Sequence, residues 1–174
     1  MTTSSKNSAL VGPADRALPI LPALENLLVR IAPGTLRWAL GVTLLSAVAD
    51  RFGGWGPPGQ ANVSWGNWTH FVAYTARVDG FLPAMLAPTL AVVATAAEIV
   101  LGVALLLGVY RRAVAWAAAG LFVTFAMAMS LSFGVKSPLN YSVFADTAAA
   151  LLLGAWTTTP RATHAPGGQP ATAS

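Results

Sequence analysis

Glu98 and Asp146 are the residues whose type and placement point to chemistry. Glu98 is the one charge between Leu90 and Gly108, and Asp146 stands in YSVFADTAAALLLG with no other charge beside it. Placing an ionised acid in the middle of a bilayer costs about 2.5–3.5 kcal/mol on insertion scales. Each carboxyl therefore has to face protein rather than lipid. Held there, a carboxyl group can accept and pass a proton, which makes Glu98 and Asp146 the candidate catalytic pair. For either one the alternative is a hydrogen bond that ties its helix to a neighbour.

Other polar residues recur at helical spacing around these two. Thr43, Ser46 and Asp50 fall at i, i+3, i+7, and Thr95 and Glu98 at i, i+3 with Gly102 one turn on. Ser142 and Asp146 fall at i, i+4, and Thr124, Met127 and Ser130 offer a similar stripe. Turned inward, such faces line a small polar cavity. Asp50, Arg51, Ser46, Thr95 and Ser142 are the candidate ligand-binding residues. Against this, Thr, Ser, Ala and Gly along a membrane helix also serve close packing, and Asp50-Arg51 fits an ion pair at a helix end. Arg51 and Arg37 are the nearest cations, and each would have to reach inward from a helix end. With no cation close by, two neighbouring acids hold or share a proton.

Several chemistries are excluded. The chain has no cysteine, which removes disulfides, thiolate catalysis and cysteine-ligated metal clusters. His70 is a lone histidine with no second ligand near it in the sequence, so no metal site is expected. GGWGPPG at 53–59 is no phosphate cradle, because Pro57 and Pro58 have no N–H to donate and no Lys-Ser/Thr follows. The net charge of +4 is spread along the chain and forms no nucleic-acid footprint.

The elements that must position these residues follow from composition. Of 174 residues, 55% are hydrophobic and only 9% charged, where a soluble domain carries about 25% charged residues. Four apolar segments stand out, Leu36–Phe52, Leu82–Gly108, Ala113–Phe133 and Pro138–Trp156. About 20 helical residues cross a bilayer, so each segment is a candidate span. The expected architecture is an all-α integral membrane four-helix bundle over 33–156, with short interfacial helices and disordered termini. Residues 1–17 and 157–174 read as the disordered tails, and 18–32 as an amphipathic interfacial helix ended by Pro33-Gly34. WGNWTHFVAYTARV, 65–78, reads as a second such helix in the long connection 53–80. Its Trp65, Trp68 and Tyr74, with Trp55, are of the kind that sits at headgroup level.

Counted at 1.5 Å per residue, Glu98 lies about 15 Å and Asp146 about 13 Å from the same membrane face, at similar depth. Arg30, Arg37, Arg111, Arg112 and Arg161 fall on one side of a four-span chain, and Arg51, Arg77 and Lys136 on the other. The positive-inside rule then places both termini in the cytoplasm.

LRWALGVTLLSAVADRFG (36–53), AEIVLGVALLLGVYRR (97–112) and the region around SPLNYSVF (137–144) resemble the DoxX family. The points of likeness are Asp50, Arg51 and Phe52 closing the first helix, Glu98 in the second, and Gly108 followed by Arg111 and Arg112. The resemblance covers about residues 36–156. It implies a small multi-pass protein of the bacterial inner membrane, and some such proteins resemble the membrane subunit of thiosulfate:quinone oxidoreductase. The function expected on that basis is a partner-dependent subunit of a membrane redox system, binding quinone or another small apolar ligand at the buried acidic site. Its surroundings would be the lipid bilayer and a soluble oxidoreductase partner or further copies of itself. Asp146 matches no motif of the family and rests on its depth alone. The competing expectations are a non-catalytic scaffold or assembly factor, and a small transporter.

Overall fold

The computed structural model describes residues 20–156, and the tails expected at 1–17 and 157–174 lie outside them. Every regular element in that range is helical: α1 (Ile20–Arg51), α2 (Trp68–Val78), a 3-10 turn (Ala84–Leu86), α3 (Ala87–Leu107), α4 (Arg111–Phe133), α5 (Lys136–Asn140) and α6 (Val143–Trp156). Three stretches, Pro22–Arg51, Ala84–Leu107 and Arg111–Phe133, are long and apolar enough to cross a membrane. The 14 residues of α6 are apolar but rise only about 21 Å, less than the hydrocarbon thickness.

Two antiparallel pairs build the bundle. α1 packs on α3, and α4 packs on α6 in the most extensive pairing of the molecule. The first pair closes on glycine. A Cβ on Gly41 would stand 2.8 Å from Leu106 and 3.1 Å from the Gly102 carbonyl, and one on Gly102 would stand 2.9 Å from Leu45. Small residues bring the two backbones together, which suits a medium where helices associate by packing rather than by exclusion of water. The second pair uses alanine for the same purpose, with Ala115, Ala118 and Ala150 fully buried. The outward faces stay apolar and open: Val92, Val100, Leu107 and Leu131 are each more than half exposed, which suits lipid.

α1 is displaced along the bundle. It runs as one helix through Pro33-Gly34, where a break was expected between an interfacial helix and the first span. Pro33 removes one ladder N–H, the partner of the Val29 carbonyl, and the helix continues past it with Thr35 Oγ1 donating to the Ile31 carbonyl at 3.3 Å. Residues 22–31 are all exposed, so this half of α1 extends past the packed bundle. At its other end α1 stops at Arg51, level with the middle of α3. The space beyond is filled by α2, which lies against α3 and α4. Asn67 caps α2, its side chain accepting from the His70 N–H at 2.9 Å.

The fourth segment also differs from the expected continuous helix. Ser142 takes a left-handed backbone conformation, φ +56°, and divides α5 from α6. Asp146 consequently falls in the first turn of α6, about 5 Å from the helix start, while Glu98 lies about 16 Å along α3. α3 and α6 are not among the closely packed helix pairs. Asp146 thus lies closer to the start of its helix than an unbroken helix from Pro138 would place it, because the Ser142 turn resets where the last helix begins.

Candidate functional site

Arg51 closes α1 and turns inward. Its Nη2 donates to Glu98 Oε1 at 2.6 Å and its Nη1 to Thr95 Oγ1 at 2.7 Å. Thr95 and Glu98 stand one turn apart on α3, so a single guanidinium spans both. Glu98 is 1% exposed and Arg51 3%. The guanidinium also meets two aromatic rings that pack edge-on against each other. Its Cζ lies 3.8 Å from the centroid of Phe71 on α2 and 5.3 Å from that of Trp65. Such cation–π contacts are worth about 2 kcal/mol or more when desolvated.

Asp50 works on the backbone beside this pair. Its Oδ2 accepts from the N–H groups of Ser64 and Trp65 at 2.9 and 3.0 Å. The loop 52–67 is thereby tied down over Arg51, and Trp65 is set on the guanidinium. Ser46 holds the same loop further back, its Oγ accepting from Trp55 Nε1 at 3.1 Å. Three buried polar atoms in this cluster have no partner: Asp50 Oδ1, Arg51 Nε and Glu98 Oε2. An unmatched buried polar group costs about 1–3 kcal/mol, so their concentration around one ion pair marks the place where the fold departs from simple packing.

A cavity of about 460 Å³ opens next to the pair. Arg51, Trp65, Phe71 and Tyr74 form one side, with Ala94 of α3, Phe125 of α4 and Asp146 of α6 around the rest. Its surface is mainly apolar and aromatic. Arg51 is the cation on its wall, and Asp146 and Asp79 are the acids. Asp79 lies at the end of α2, outside the spanning helices, and burial pushes its carboxyl above the ordinary aspartate range. Tyr74, also on α2, is pushed up to about 12, by burial first and by Tyr141 second, with Arg77 acting the other way.

Of the residues singled out in the sequence, the structure joins Arg51, Thr95 and Glu98 in one hydrogen-bonded cluster, with Asp50 adjoining it through the loop amides. Ser46 and Asp146 line the cavity without entering that cluster. Ser142 is exposed at the α5–α6 turn and is not on the cavity wall. Glu98 is behind Arg51 and is not on that wall either. Phe71, Tyr74 and Asp79 were missed as site residues. The available signal was an aromatic-rich segment in the one long connection, which reads equally well as a headgroup belt. Among the described residues, no group of three His, Asp or Glu is placed to hold a metal ion.

A helical bundle with apolar outer faces, three helices of spanning length and an ion pair sealed inside it is an integral membrane protein of multi-helix type. The DoxX family profile matches residues 32–134, well over half of the chain, and the protein belongs to that family. Comparison with curated proteins finds no match, and comparison with solved structures finds none.

Proposed function

We propose that this protein is a partner-dependent subunit of a membrane redox system that binds a quinone, or another small apolar ligand with a carbonyl head, in the cavity beside Arg51. The observation that carries this reading is the combination of an apolar, aromatic-walled cavity of about 460 Å³ with a buried guanidinium on its wall whose Nε–H lacks a partner. Ligand sites are mostly apolar with a few placed polar groups, and this volume falls in their usual range of about 300–1,000 Å³. A carbonyl oxygen is the natural acceptor for such a donor.

Each residue then has a task. Arg51 orients the head group. Glu98 and Thr95 fix Arg51, and Phe71 and Trp65 shield it from water. Asp146 and Asp79, both on the cavity wall, exchange protons with the ligand side. Glu98 serves this reading as the anchor of Arg51 rather than as the group that meets the ligand. When bound, a quinone supplies two-electron, two-proton redox chemistry, and the electrons come from a soluble oxidoreductase.

The experiment uses the purified full-length protein in detergent and a short-chain quinone, decylubiquinone, followed by quenching of tryptophan fluorescence. Saturable quenching is expected, since Trp65 lines the cavity. Ala94→Phe fills the cavity, with Arg51, Thr95 and Glu98 themselves left in place, and should abolish the saturable part. Quenching that stays linear with quinone concentration, or is unchanged in Ala94→Phe, rejects the reading. Glu98→Gln is then compared with wild type for abundance and for quinone-coupled electron flow in membranes. Equal abundance with unchanged flow denies Glu98 a proton-carrying role and leaves it only the anchoring of Arg51.

A further inference from the structure

The end of the bundle remote from the Arg51 pair has a second cleft, of about 880 Å³, between the N-terminal half of α1, the α3–α4 turn and the end of α6. Arg30 and Arg37 of α1 and Arg111 and Arg112 of α4 are on its wall, together with apolar Leu105 and Trp156. Two of these arginines are set by the turn. Gly108 has φ +72°, and a Cβ there would stand 1.8 Å from Arg37 Nη1, so the guanidinium lies directly on a backbone that only glycine allows. Arg111 Nε donates to the Gly108 carbonyl at 3.3 Å. These two answer the negative end of α3.

That leaves Arg30 and Arg112, which are exposed on the same cleft. Among the described residues the one ion pair is Arg51–Glu98, so no described carboxylate neutralises any of the four cleft arginines. Like charges gathered in one concavity repel each other and raise its affinity for anions. The cleft wall is also largely apolar, with Leu105, Val109, Val114 and Leu153 on it. Free inorganic phosphate has no use for such a wall, whereas a phosphodiester carrying acyl chains does.

We propose that this cleft binds the phosphate head group of an anionic phospholipid, with the guanidinium groups on the phosphate and the acyl chains running from its apolar wall along the exposed faces of the bundle. Basic pockets between helices at a membrane face are suited to anionic head groups, each nearby Arg or Lys contributing about a fivefold gain in affinity. Arginine in particular grips phosphate through paired N–H donors. The site is separate from the cavity beside Arg51 and does not depend on what that cavity holds.

The test equilibrates the purified full-length protein with an equimolar mixture of phosphatidylglycerol and phosphatidylcholine and reads the retained lipid by native mass spectrometry. Phosphatidylglycerol should be retained in preference. The double variant R30Q/R112Q should lose about 25-fold in phosphatidylglycerol retention, and R77Q at the opposite end should lose none. Each substitution is also made singly, with about a fivefold loss expected, so that a folding defect in the double variant leaves the single variants to decide. Equal retention of both lipids by wild type, or an unchanged preference in R30Q and R112Q, overturns the proposal. Displacement of the bound lipid by millimolar inorganic phosphate, with phosphate binding equally well in lipid-free detergent, overturns it in favour of a free anion site.

Discussion

Two regions of this bundle both rest on arginine, and they treat it in opposite ways. At mid-bundle Arg51 is buried, paired with Glu98, bonded to Thr95 and covered by Phe71 and Trp65. In the other region, Arg30, Arg111 and Arg112 stand exposed around a cleft in which no described carboxylate neutralises them. The difference lies in the cost of isolation. A guanidinium cut off from water needs a counter-charge in the fold itself. One at the membrane surface keeps water and mobile counter-ions within reach and needs none. The buried arginine is thus part of the structure before it can be part of a site, while the exposed ones remain free to take an external anion.

The contrast breaks first at Glu98. Glu98→Ala leaves the Arg51 charge buried and unpaired, and a loss of about 3–5 kcal/mol is expected in denaturant unfolding of the detergent-solubilised protein. Glu98→Gln keeps an acceptor for Arg51 and should lose less. A stability unchanged in Glu98→Ala would mean that the pair is not sealed from water. Next in size is Gly41→Val, which drives a branched side chain into Leu106 and the Gly102 carbonyl. Overpacking of this kind costs about 1–3 kcal/mol. It should also part α1 from α3, so that hydrogen exchange at the end of α1 quickens in step with the loss of stability.

At the cleft, R30Q and R112Q should each change stability by no more than about 0.5 kcal/mol, as expected for exposed side chains without fixed partners. The same unfolding experiment reads this directly, and a loss as large as that of Glu98→Ala would erase the distinction between the two regions. The smallest effect concerns Tyr74. Its hydroxyl is pushed up to about 12 against an ordinary 10.0, so the folded state holds this proton more tightly than the unfolded one. Stability from Tyr74 is full below pH 10.0 and falls as pH rises toward about 12. Tyr74→Phe should flatten that part of the pH–stability curve, and an unaltered curve would place the group in water.

Glu98 illustrates how far the sequence could be read. Its isolation among apolar residues was enough to require burial against protein. Its partner was legible only as one of two cations, Arg51 or Arg37, because Arg51 lies 47 residues earlier, at the end of another helix, where an interfacial pairing with Asp50 is the simpler local reading. Asp50 instead spends its carboxylate on the amides of Ser64 and Trp65, a contact that exists only once the loop has folded back. Asp146 shows the opposite case. A depth of about 13 Å for it holds only on a helix unbroken from Pro138, and a single left-handed residue, Ser142, starts the last helix anew.

Composition by itself determined that this chain lives in a membrane, which segments are helical and that Glu98 must turn away from lipid. These are sums of local transfer and propensity terms, and they need no knowledge of what a segment touches. The tertiary structure alone decided that α1 runs unbroken past Pro33, that Arg51 rather than Asp146 meets Glu98, and which side chains wall each cleft. Those outcomes depend on the offset and rotation of one helix against another, set by close approaches such as Gly41 to Gly102 between residues far apart in the chain.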